Sequence, residues 1–138
     1  MTKKFRQVAA LPFRTSDTGA IEMLLVTTRG SRRWIPPKGW PLPGRTNWAA
    51  ARFEALEEAR VSGPIGSKPL GRFGYWKKSD KSTVHMVTVY PLRVTRMHKT
   101  WDEKMQRERR WFTPCSAADA VEFPQLRKLL KSLDPDGR

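Results

Sequence analysis

Apolar positions along the chain fall into short strand-like runs, one long helical stretch and a second amphipathic stretch near the end. Gln7–Arg14 reads as a first strand, and Glu22–Thr28, with Met23, Leu24, Leu25 and Val26 in succession, as a second. Ser16, Asp17, Thr18 and Gly19 between them carry turn chemistry, so the two are predicted to form a hairpin. Ser31–Gly44 holds four prolines and two glycines around Trp34 and Trp40, which predicts a constrained loop with a short strand at Trp34-Ile35. Asn47–Arg60 is the clearest helix, capped by Thr46 or Asn47 and stopped by Ser62, Gly63 and Pro64. Strands follow at Gly71–Lys77 and Thr83–Thr95, the latter carrying Val84, Met86, Val87 and Val89. Trp111–Thr113 reads as a last short strand, Ser116–Asp119 as a helix start, and Gln125–Leu133 as a helix with Leu126, Leu129, Leu130 and Leu133 on one side. Strands, a helix, more strands and terminal helices imply an α/β (α+β) chain, a mixed β-sheet sandwiched between helices.

The first helix concentrates acid on one face. At about 100° per residue, Glu57 lies about 60° to one side of Glu54 and Glu58 about 40° to the other. Ala50 and Ala51 share that face one turn earlier, and Trp48, Ala49, Ala55, Leu56 and Ala59 form the arc predicted to bury against the sheet. Three ionised carboxylates this close repel one another, which raises their pKa values and weakens the helix. A hard divalent cation removes that cost, because magnesium prefers oxygen ligands and keeps waters that bridge to phosphate. Taken alone, the cluster is more often a plain solvated acidic face, since Glu is common on helices.

Composition narrows the setting. The 138 residues suit one domain, 1–138, able to bury a core without staples. No run of about 18 apolar residues exists, so no membrane span is expected. Val8–Leu11 is too short for the apolar part of a signal peptide. Cys115 stands alone, which excludes an internal disulfide and a Cys-rich metal site and makes a reducing, cytoplasmic location the default. Lys and Arg number 27 against 13 Asp and Glu, a net charge of +14. That excess favours polyanionic partners, whether nucleic acid, an anionic membrane surface or a phosphate-dense small molecule, and does not choose between them. His85 and His98 are not at the spacing of a metal pair, and no Walker loop or Ser-His-Asp pattern is present. Nothing in the sequence sets the oligomeric state.

The surroundings of the carboxylates carry a resemblance. From Gly39 onward, Glu54, Ala55, Glu57, Glu58 and Val61 stand at the offsets of G-x(5)-E-x(7)-R-E-u-x-E-E-x-G-u, where u is aliphatic. This pattern is similar to that of the Nudix hydrolases. Arg33 to Gly39 (Arg-Trp-Ile-Pro-Pro-Lys-Gly) and Trp101 to Phe112 resemble flanking segments of the diphosphoinositol polyphosphate phosphohydrolases and dinucleoside polyphosphate hydrolases. The likeness runs from about Val8 to Leu133. It implies the Nudix fold and cleavage of a phosphoanhydride by metal-activated water, with magnesium or manganese on Glu54, Glu57 and Glu58. It also implies a general base outside the helix, for which Glu103 is the candidate, and phosphate contacts at Arg6, Arg33, Lys38 and Gly39.

Three positions depart from the pattern: Arg45 replaces its first Glu, Phe53 its Arg, and Arg60 its last Gly. An Arg at position 53 would orient and offset Glu57 one turn on. Arg60 is expected to take a left-handed backbone at a cost of about 1 kcal/mol. A weakened Nudix-fold protein that binds nucleotide or RNA is the alternative these departures raise.

Overall fold

A computed structural model of the chain describes residues 3–77, 80–99 and 107–133. The strands β1 (Lys3–Thr15), β2 (Ile21–Thr27), β3 (Trp34–Ile35), β6 (Gly71–Lys77) and β7 (Asp80–Arg93) lie in one sheet in the order β3-β2-β1-β7-β6. Two further strands complete it: β4 (Lys38–Gly39) on β1 and β9 (Arg109–Phe112) on β2. The sheet is mixed. β1 runs antiparallel to β2, with Phe13 opposite Met23, and parallel to β7 from Lys3 opposite Thr83 to Phe13 opposite Arg93. A strand paired on both edges and covered on both faces has no solvent side, so Val8, Ala9, Ala10 and Leu11 are all buried and alternation gives way to an apolar run.

Helices cover both faces. Helix α1 (Asn47–Glu54) crosses β1 and β7, where Trp48 meets the ring of Tyr90. The opposite face of β6 holds Phe73 and Tyr75, packed on Phe123 between α2 (Pro114–Ala120) and α3 (Pro124–Ser132). Leu126 and Leu130 of α3 are fully buried, with Leu129 and Leu133 half-buried at its edge. Thr113, with Pro114 as the first helical residue, starts α2 three residues before the predicted point; the Thr113 hydroxyl accepts from the Ser116 N–H. Among the described residues no helix is long and apolar enough to cross a membrane.

The buried face of α1 differs from the predicted one. Ala50, Ala51, Ala55 and Ala59 face the core, whereas Trp48 stands exposed and Ala49 and Leu56 half-buried. Small side chains let the helix approach the sheet closely, and the bulky Trp48 and Leu56 are left at the rim. Glu54 and Glu58 therefore lie on the flank turned toward the sheet edge rather than on an open back.

Directly after the helix, β5 (Val61–Ser62) pairs with β8 (Arg96–Met97), so the predicted stop is a short strand. Gly63 ends it against the Arg93 carbonyl, and an added Cβ would fall on that backbone oxygen. Backbone cannot yield as a side chain can. Gly63→Ala is expected to lower stability by about 3 kcal/mol, read as a shift in urea midpoint. A wild-type midpoint would mean the β5–β8 pair moves freely.

Candidate active site

Helix α1 begins as predicted, with the Thr46 hydroxyl accepting from the Ala49 N–H at 3.2 Å. Its second half is not α-helical. Ala55–Ala59 forms a π-helical turn, closed by the Arg60 N–H on the carbonyls of Ala55 and Leu56. Arg60 takes the left-handed backbone expected of it, at φ 54°. The turn is clamped from β9, where Arg109 donates through Nη1 to the Ala59 carbonyl at 2.9 Å and through Nη2 to the His98 carbonyl at 3.0 Å. A π turn advances less per residue than the about 100° of an α-helix. The three carboxylates consequently do not share one face evenly: Glu54 and Glu58 are half-buried, while Glu57 is exposed.

Glu54 and Glu58 are held by β4. The Glu54 carboxyl packs on Gly39, at the place a Cβ would occupy. Glu58 Oε1 accepts from the Lys38 backbone N–H at 2.9 Å, and its Oε2 accepts from Arg107 Nη2 at 3.2 Å. Arg107 also donates through Nη1 to the Thr27 carbonyl at 3.0 Å, which fixes the guanidinium between β2 and the helix. Burial, then the charges of Glu58 and Glu57, push the Glu54 carboxyl up to about 7. Burial also raises Glu58, although Arg107 and Lys38 oppose it.

Among the described residues no three His, Cys, Asp or Glu side chains converge closely enough to enclose an ion as they stand. The donor set nevertheless fits a divalent cation. Glu54 lacks positive charge to the extent that it holds a proton near neutrality, Glu57 projects freely, and the oxygens are hard. Turning Glu57 inward and loosening Arg107 from Glu58 are the adjustments such an ion requires.

Beside Glu58 opens a cleft of about 450 Å³, lined with Arg29, Arg33, Lys38 and Arg107 and walled by Tyr75 and Phe123. The Lys38 ammonium lies 4.9 Å from the Tyr75 ring centre. Arg33 Nε is 3.5 Å from the Glu122 carboxylate, with its guanidinium 5.6 Å from the Phe123 ring centre. The Tyr75 hydroxyl donates to Gln7 Oε1 at 2.9 Å, and burial, then Glu58, raises it to about 12, so it stays protonated.

Of the sequence candidates, Arg33 and Lys38 reach this cleft. Gly39 serves it by seating Glu54. Arg6 is exposed on the face of β1 opposite Gln7 and does not line the cleft. Trp34 turns away too, between Phe112 and Arg110. Glu103 lies outside the described residues. Arg29, Arg107, Tyr75 and Phe123 were not anticipated. The one available signal was that Arg107 opens the basic run leading into β9. Phe53 is 45% exposed, so its ring fills no core volume.

The sequence profile of the NUDIX domain matches residues 3–133. The chain belongs to the Nudix family. It is 31% identical over 125 residues to diphosphoinositol polyphosphate phosphohydrolase 3-beta of Bos taurus, covering 89% of this chain and 71% of that protein. Nudix hydrolase 12, mitochondrial, of Arabidopsis thaliana is 31% identical over 118 residues, 80% of this chain; the match spans 57% of that relative's length. Among solved structures, the Ap4A hydrolase of C. elegans superposes with a TM-score of 0.68 at 22% identity, covering 95% of each chain. That likeness shows the Nudix fold.

Proposed function

We propose that this chain hydrolyses a phosphoanhydride in a nucleoside-diphosphate-linked or otherwise polyphosphorylated small molecule. The observation that carries the reading is Glu58, held by the Lys38 N–H and Arg107 at the wall of a cleft with four cationic side chains, beside a Glu54 seated on Gly39. Arg29, Arg33 and Lys38 would bind and orient the phosphates, and the cleft's apolar wall of Tyr75 and Phe123 would exclude water from one side. Magnesium or manganese held through Glu54, Glu57 and Glu58 would supply Lewis acidity and an activated water.

Arg107 bears on the rival reading of a weakened, binding-only protein. Phe53 removes a positive charge from the family pattern, and Arg107, two residues before β9, restores one at Glu58. The acidic cluster is thus still charge-balanced at one member, which favours an enzyme. A cytoplasmic setting is proposed on Cys115, exposed and free.

The test is cleavage of the phosphoanhydride, followed by chromatography of the phosphorylated products, with magnesium or manganese across nucleoside diphosphate sugars, dinucleoside polyphosphates and inositol pyrophosphates. Turnover of one class with either metal is expected; silence with all of them would leave a binding protein. In the same assay Glu103→Gln, as loss of the general base, should lower kcat by about 10²-fold with metal affinity intact. A wild-type kcat would move the base elsewhere.

A further inference from the structure

On the other flank of α1 a second groove, of about 460 Å³, opens between the helix and Ser62-Gly63 of the β5 end, and it shares no lining residue with the catalytic cleft. Its walls carry Arg45, Arg52, Phe53 and Leu56. We propose that this groove binds single-stranded nucleic acid, with Arg45 and Arg52 on phosphates and Phe53 beneath a base.

Charge comes first. Arg45 and Arg52 are exposed, and neither guanidinium has a hydrogen-bond or ion-pair partner among the described residues. No Asp or Glu occurs from Met23 to Phe53, and none from Ala59 to Ser79. The groove's lining carries two cations and no carboxylate. Guanidinium forks match phosphate oxygens bidentately.

The ring comes second. Phe53 is 45% exposed and takes part in no ring pair among the described residues. An exposed phenyl in one groove with two unpaired arginines is the combination that holds a strand without reading its sequence: cations track the backbone and a π face takes any base. An acidic peptide would use the arginines and leave the ring idle. The patch also extends beyond one nucleotide. Ser62 pairs with Arg96 and Val61 with Met97, both exposed on β8, so charge and apolar area continue along the short sheet. The net charge of +14 adds long-range attraction for a polyanion.

The test uses a fluorescein-labelled oligouridylate of about eight nucleotides with a 5′-hydroxyl, titrated with the full chain in EDTA and followed by anisotropy. This probe carries no phosphoanhydride and the buffer no divalent metal, so the result does not depend on the hydrolase reading. Arg45→Gln with Arg52→Gln should weaken binding about tenfold or more and reduce the salt slope by about 1.4, the value for two phosphate contacts. Phe53→Ala should weaken it about tenfold at an unchanged slope. The double arginine variant should hydrolyse its small substrate at the wild-type rate. Wild-type affinity in both variants overturns the proposal. So does loss of binding in Arg33→Gln instead, which would put the strand in the cleft. Equal competition by a polyglutamate peptide, with Phe53→Ala silent, also overturns it in favour of an acidic protein partner.

Discussion

Gly39→Ala should cut metal-dependent turnover by about 10²-fold or more while leaving the urea midpoint close to wild type. The reason is local. The Glu54 carboxyl occupies the space above the Gly39 Cα, and a methyl group there would displace it. The displaced atoms are the far end of a flexible side chain on a half-buried residue, so the fold yields cheaply. The ligand geometry does not, since about 1 Å of misplacement is enough to cost two orders of magnitude in rate. Full activity in Gly39→Ala would show that Glu54 works from another rotamer.

Glu54→Gln should move activity and stability in opposite directions. Removing one of three proposed metal ligands is expected to lower turnover by about 10²-fold or more. In metal-free buffer the same change should stabilise the protein. Burial and the neighbouring glutamates raise Glu54 from 4.5 to about 7, so the folded chain keeps a proton that the unfolded chain has already released. The unfolded state then binds fewer protons, and wild-type stability falls as pH rises from about 4.5 to about 7, with no further loss from this group above that. Glu58, raised in the same direction, adds to the fall. Because Glu54 is about half exposed, solvent screening reduces its share to about 1–2 kcal/mol. Glu54→Gln should therefore exceed wild type by about that amount at pH 8 in EDTA, and the gap should close near pH 4.5. An equal gap at both pH values would point to packing rather than charge. Added manganese should reverse the order at pH 8, because the ion stabilises only the chain that binds it.

The parts of this molecule governed by local pattern were legible in the sequence. The hairpin of β1 and β2, the boundaries of β6, the two-residue strand Trp34–Ile35 and the position of α1 all follow from turn residues and apolar periodicity. The left-handed Arg60 was legible too, as the residue standing where the family pattern has Gly. What escaped is what depends on contacts across the chain. The end of the π turn is held by Arg109, 50 residues away, on the Ala59 carbonyl. No helical wheel at a fixed angle anticipates it, so Glu57 is turned outward from the face assigned to it. Arg107 reaches Glu58 across 49 residues, and Phe123 reaches Tyr75 only because α3 folds back onto β6. Arg6 shows the converse, exposed on β1 outside the lining of the cleft. A basic residue on a first strand is read from the family, but one step of strand alternation decides which face it takes.

The central claim is that Glu54, Glu57 and Glu58 together hold a divalent cation, and calorimetric titration with manganese tests it most directly. Wild type should bind. Glu57→Gln and Glu58→Gln should each lose most of that affinity, Glu57 despite its outward position and Glu58 despite its bond to Arg107. Unchanged binding in both variants would contradict the account and remove these residues from the metal site.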